Sequence, residues 1–283
     1  MWSRFGFAAA RPKHEMGCEM LLDIAARRFD FRALHDEGYF LLPTAWDVGG
    51  AKRLEALGYA GIATTIPSLA ATLGRDVGDL TRDDVLSHMR QIVSATETAV
   101  NADFGSGFGA NSVDLIDNMR MAIDTGVAAI SIGDRNGDSL VPIEQAVERI
   151  QACRRAIDSS GADVMLVART ETLLMDGASI GAATARLIAL AAAGAHVLAL
   201  PGLADADAIK AVVLAVSPKP LDIQLMTPGL TAAELGQLGV RRVSVGDSFA
   251  DAAWASFEKV AEEFIDYGDL ASECIPAAGE MAR

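Results

Sequence analysis

The sequence predicts an α/β protein built as a closed (β/α)8 TIM barrel, and three regularities predict it. An alanine-rich helical stretch, a glycine and a short β-branched run recur together at Gly58, Gly126, Gly161, Gly194 and Gly239. Each glycine reads as the residue just past a helix, where a left-handed backbone costs glycine least. The spacings of 35, 33 and 45 residues between the last four glycines, and of 68 before them, fit βα units with one junction hidden near Thr98. The runs after the glycines are apolar throughout, as in parallel strands covered by helices. Eight such units favour closure. An open dinucleotide-binding sheet would want GxGxxG after its first strand, and the chain reads PTAWDVGGAK there.

In order along the chain, residues 1–38 form an N-terminal extension whose helix-like stretch from Glu19 to Phe31 is placed to plug or cap the barrel bottom. The opening MWSRFGFAAARPKHE has too short an apolar patch for a secretory signal. The barrel itself spans 39–265, with strands near 40–44, 61–65, 99–103, 128–132, 164–168, 196–200, 221–225 and 241–245. Helical patterns lie near 47–57, 82–95, 112–125, 143–158, 179–193, 205–216, 231–238 and 248–265. Asp83 and Asp84 open the second helix, and Ser112 and Asp114 the third, where acidic and capping groups meet unpaired N–H groups. The tail, 266–283, reads as an oligomer arm or a disordered end rather than a domain.

Composition removes several function classes. With 51% hydrophobic and 22% charged residues the chain has ample material for a core. Its 24 basic against 38 acidic residues give a net charge of −14, which repels nucleic-acid phosphates and anionic membranes, so neither is an expected partner. Three scattered cysteines, Cys18, Cys153 and Cys274, fit a reducing compartment, the cytoplasm. The stretch from Ile188 to Leu200 is broken by Gly194 and His196 and falls short of the ~20 residues of a membrane span.

A barrel assembles its active site at the C-terminal strand ends. Those ends carry Thr44, Trp46 and Asp47; Thr64 and Thr65; Asn101 and Asp103; Asp134 and Arg135; Arg169 and Glu171; Gln224 and Thr227; and Ser244, Asp247 and Ser248. No lysine falls there, which removes a Schiff-base mechanism. None of the four histidines or three cysteines ends a strand, which argues against a histidine metal site or a thiol nucleophile. Asn101, Asp103 and Asp76 are the candidate ligands for a hard cation such as Mg²⁺, and Arg169 offers a planar fork to a substrate carboxylate. Trp46, Asp47, Thr64, Thr65 and Glu171 complete the candidate substrate contacts. Such a set suits a 2-oxo or 2-hydroxy acid, whose enolate a cation stabilises. Structural readings stand beside these: Arg169 with Glu171 as an ion pair, Asp103 as a turn former, Asp47 as a helix cap, Asp247 and Ser248 as caps of the last helix, and His88 and His196 as ordinary helix-surface and barrel-bottom residues.

From about Phe40 to Phe264 the chain resembles the isocitrate lyase/phosphoenolpyruvate mutase superfamily. The resemblance rests on LLPTAWDVGGAKRLEALGYAGIATT, SLAATLGRDVGDLTRDDVLSHMRQI, VNADFGSGFG, GVAAISIGDRNGD, LVARTETLL and LGVRRVSVGDSFADAAW in this order and spacing. It implies a phosphoenolpyruvate/pyruvate-type barrel with a swapped C-terminal helix in a homodimer or homotetramer, Mg²⁺, and a C–C or P–C bond made or broken beside a 2-oxo-acid enolate. Position by position, it implies that Thr65 meets the substrate carboxylate and that Asp76 holds metal-bound water. By the same comparison Asn101 and Asp103 stand in the DxD-like motif, and Arg169 grips the substrate.

The chain departs from the superfamily where IED or LED is general and it has Ile132-Gly133-Asp134, and where NADFE or NADxE is usual and it has Gly105. Its segment after the fourth strand, RNGDSLVP, lacks KKCGH, which disfavours isocitrate and methylisocitrate cleavage. Fewer carboxylates weaken Mg²⁺ binding. The expected function is a lyase cleaving a C–C bond in a small 2-oxo or 2-hydroxy dicarboxylic acid through a metal-stabilised enolate, with Asp103, Arg169 and Asp134 as catalytic residues. A degenerate barrel that only binds a carboxylate or serves as a scaffold, and a phosphonomutase, are the alternatives.

Overall fold

A computed structural model describes residues 13–226 and 229–268. Eight parallel strands form the expected barrel: β1 (Phe40–Leu42), β2 (Gly61–Ala63), β3 (Ala99–Asp103), β4 (Ala129–Gly133), β5 (Met165–Arg169), β6 (Val197–Ala199), β7 (Leu221–Gln224) and β8 (Arg242–Ser244). Each pairs with its sequence neighbour, and β8 pairs with β1. The ring closes between β1 and β2 through a parallel bridge from Thr44 to Ala63, with Ala63 N donating to Pro43 O at 2.7 Å. The helices are α1 (Lys13–Ala33), α2 (Val48–Ala56), α3 (Ile66–Leu73), α4 (Arg82–Ala95), α5 (Ser112–Ile123), α6 (Ile143–Ser160), α7 (Ile180–Ala192), α8 (Ala206–Val216), α9 (Ala232–Gln237) and α10 (Ser248–Tyr267). Among the described residues no helix is long and apolar enough to cross a membrane.

The glycine junctions behave as the sequence reading requires; Gly126 and Gly194 have φ of 91° and 112°. The hidden junction needs no glycine because Glu55 closes it. Its carboxylate accepts from Thr96 Oγ1 at 2.7 Å and from the N–H of Glu97 at 2.6 Å. Periodicity omits α3, although its markers are present: Thr65 caps it, Pro67 lies in its first turn, and Gly74 ends it in the left-handed region. A short hairpin, Arg135–Asn136 with Ser139–Leu140, follows β4.

Two apolar layers hold the barrel. The larger lies between strands and helices, with Met89, Leu115, Ile130 and Leu166 buried in it. The smaller fills the lower interior: Phe31, Leu42, Met165, Val167 and Val197, with alanines between. Phe31 comes from α1, fully buried and edge-on to Phe40, so the N-terminal extension plugs the barrel bottom. Gly61 makes room for it, since a Cβ there would lie 2.8 Å from the Phe31 ring. Arg28 fastens the helix by donating to Val127 O and Ile123 O at 2.9 and 2.8 Å. At the other end of the chain α10 stands clear of the ring with Ala250 as its only buried residue. Of the expected tail, 269–283 lies outside the described residues.

Candidate active site

Side chains two apart on a strand share a face, so β3 sends both Asn101 and Asp103 into the barrel, and β8 sends Arg242 with Ser244. They meet in a small cavity at the C-terminal mouth, of about 50 Å³, lined also by Thr65, Ser131, Arg169, Asp222 and Gln224. Asp103 is 5% exposed, and its Oδ2 lies 3.1 Å from Arg169 Nη1. Its Oδ1 accepts from Gly105 N at 3.0 Å, and its own N–H donates to Thr64 Oγ1 at 3.2 Å. Arg169 lies opposite Gly133 in the β4–β5 register. A Cβ at Gly133 would sit 3.1 Å from Arg169 Nη2, so the guanidinium occupies the space a side chain there would take. Arg169 Nε is 3.3 Å from Glu171 Oε1, and Glu171 Oε2 is 3.5 Å from Arg135 on the hairpin. Burial alone would lower the pKa of Arg169, but Asp103 and Glu171 override it and hold the group above its ordinary value, permanently charged.

Beneath this pair lies a polar layer. Arg242, 2% exposed, donates from Nη2 to Asp222 Oδ2 at 3.0 Å and from Nη1 to Asn101 Oδ1 at 3.2 Å. Asn101 donates to Ser131 Oγ at 3.1 Å, and Ser244 to Asp222 at 3.3 Å. Asp222 and Arg242 escape the strand-end search because they sit within strands. The available signal was Ser244: if it faces inward, Arg242, two residues earlier, does too.

The remaining candidates divide. Thr65 lines the cavity but is engaged twice, capping α3 and donating to Asp247 Oδ1, which also accepts from Ser68. Asp247 therefore ties the top of β8 to α3; its side chain makes no cap bond to α10, contrary to expectation. Trp46 and Asp47 line a separate groove with Leu69, Thr72 and His88, and Asp47 caps α2 through Gly50 N at 2.6 Å. The substrate role expected of these two is corrected accordingly: they face the outer helices. His88 is buried rather than on a helix surface. Asp134 turns away from the cavity, its carboxylate paired with Arg186 Nε at 2.5 Å and accepting from Glu171 N at 3.1 Å, which corrects its catalytic assignment to a structural ion pair. Thr227 lies outside the described residues.

Of the expected magnesium ligands, Asn101 and Asp103 share the cavity and Asp76 does not join them. Asp76 is exposed at the start of the 3₁₀ turn Val77–Asp79 and does not line the cavity, Asn101 spends its oxygen on Arg242, and Asp103 faces Arg169. Among the described residues no three His, Cys, Asp or Glu side chains group as a metal cage. Mg²⁺ keeps several waters and takes one or two carboxylates, and the expected carboxylate that lines the cavity, Asp103, is already paired with Arg169, so the residues as arranged do not fit Mg²⁺. The exclusion of thiol chemistry agrees with Cys153, whose burial pushes its thiol up to about 12.

Comparison with known proteins agrees with the fold. Residues 31–265 match the family model described as phosphoenolpyruvate phosphomutase. A crystal structure of a Burkholderia cenocepacia protein described as a lyase/mutase is 33% identical, with a TM-score of 0.86 over 92% of this chain and 95% of that one. An uncharacterised Mycobacterium tuberculosis protein is 28% identical, covering 89% of this chain and 95% of its own length. The 2,3-dimethylmalate lyase of Eubacterium barkeri is 30% identical over 70% of this chain and 71% of its own. This chain belongs to the phosphoenolpyruvate mutase family, within the isocitrate lyase/phosphoenolpyruvate mutase superfamily.

Proposed function

We propose that the protein is a carbon–carbon lyase acting on a small 2-oxo or 2-hydroxy dicarboxylic acid. The observation that carries this reading is the convergence of Asp103 and Arg169, 3.1 Å apart, on one polar cavity at the barrel mouth. The likeness to a 2,3-dimethylmalate lyase supports the same class. For a 2-oxo substrate the bond between C3 and the departing carboxylate breaks, its electron pair moves into the C2 carbonyl, and carbon dioxide leaves an enolate oxyanion. Arg169 stabilises that charge, because a fixed guanidinium in a partly desolvated site interacts with it more strongly than water does. A solvent proton then adds at C3. Asp103 holds the guanidinium in place, and the Thr64, Ser131 and Ser244 hydroxyls offer contacts to the retained carboxylate.

The protein works in the cytoplasm on this reading, as a homodimer or homotetramer. The test is incubation with a panel of small 2-oxo and 2-hydroxy dicarboxylates, following carbon–carbon cleavage by ¹³C NMR. Cleavage of at least one, lost in Arg169→Lys, is the expected outcome. Binding without cleavage of any member favours the scaffold reading that Gly105 and Gly133 suggest.

A further inference from the structure

We infer that this site binds its carboxylate ligand without a divalent metal, because two guanidinium groups already pair with the carboxylates that line it. The inference rests on the reading of the cavity as a carboxylate site. The oxygens of the two expected ligands in the cavity, Asn101 and Asp103, are already engaged, while Asp222 Oδ1 is buried without a hydrogen-bond partner. Asp103 Oδ2 faces Arg169 Nη1 at 3.1 Å, and its Oδ1 takes the N–H of Gly105. Asn101 Oδ1 accepts from Arg242, and its amide nitrogen faces Ser131. The positions that could bring further carboxylates are Gly105 and Gly133, and the space beside Gly133 is filled by Arg169 itself.

Charge leads the same way. Two carboxylates line the cavity, Asp103 and Asp222, and two guanidinium groups answer them, Arg169 and Arg242. Arg169 also faces Glu171, whose other oxygen is shared with Arg135, so each carboxylate around the cavity has a guanidinium beside it, and a dication entering beside Arg169 and Arg242 would be repelled in a medium of low dielectric. A carboxylate ligand meets the opposite situation. Each guanidinium carries five N–H donors, and the bonds to Asp103, Asn101 and Asp222 leave donors free on both.

Two measurements on the unmodified protein test this. Titration with Mn²⁺, followed by the spectrum of the free ion, is expected to show no stoichiometric binding. Calorimetric titration with oxalate is expected to give affinities within about twofold of each other in EDTA and in excess Mg²⁺. Stoichiometric Mn²⁺ binding, or an oxalate affinity raised about tenfold or more by Mg²⁺, overturns the inference and leaves the lyase reading standing. Absence of oxalate binding in both buffers overturns the inference together with the carboxylate reading.

Discussion

Arg169 owes its position to Gly133, which faces it across the β4–β5 register and leaves room for the guanidinium to reach Asp103. Lysine at 169 keeps the charge but not the planar fork, so Arg169→Lys is expected to fold normally and lose oxalate affinity by about tenfold or more in calorimetry. Unchanged affinity would remove Arg169 from the site. Asp134 is expected to behave differently. It is a buried carboxylate paired with Arg186 and outside the cavity, so Asp134→Asn should cost roughly 3–5 kcal/mol in urea denaturation while the folded fraction keeps its cleavage rate. Loss of turnover at undiminished stability would restore it as a catalytic group. At this scale the sequence disclosed the residues that end strands, Asp103 and Arg169, because the barrel rule says where to look. It hid Arg242, which sits within β8 rather than at its end, and only the inward face of β8 shows its place in the site.

Among the elements, α1 departs most from an ordinary surface helix. Its Phe31 fills the barrel bottom, so Phe31→Ala is expected to cost about 3–5 kcal/mol by urea denaturation, the usual range for an aromatic removed from a packed core. A cost under about 1 kcal/mol would mean that the helix does not plug the ring. Three histidines on these elements are held neutral. Burial pushes His35 down to about 3, and His88 and His196 to about 4, with the Arg242 charge adding to the effect at His35 and that of Arg154 at His196. Each therefore binds its proton more readily in the unfolded chain, whose value is 6.5. Stability is then flat in these groups above pH 7 and is lost as pH falls from about 6.5 toward 4, by at most ~1.4 kcal/mol per pH unit for each histidine. Denaturation midpoints at pH 7 and pH 5 check the sign, and His88→Gln should reduce the slope. Six of the eight strands follow a glycine, whereas β3 is entered through the turn that Glu55 closes and β7 through Ser217 to Pro220, and their apolar runs made them legible. Helix α3 was missed because it is a second helix between β2 and β3, outside a pattern of one helix per strand.

In the whole molecule the last helix, among the described residues, buries only Ala250. Phe257 is 63% exposed and Ile265 82%, and Leu41 on β1 is 44% exposed beside the place a closing helix would cover. An apolar face of this kind on an isolated helix is what a second copy would bury. Light scattering after gel filtration is expected to give a dimer or tetramer, and the double change Phe257→Asp and Ile265→Asp to give a monomer; a monomeric parent would contradict it. Periodicity reports only that α10 is amphipathic and does not say what covers its apolar face. The ring itself matters to function because it brings β3 and β5 to one mouth, and the enolate formed there is the centre of the account. The most direct test is exchange of the C3 protons of pyruvate with D₂O, followed by ¹H NMR. Exchange by the native protein that disappears in Arg169→Lys is the predicted result, whereas exchange at the same rate in both proteins, or in neither, would contradict it.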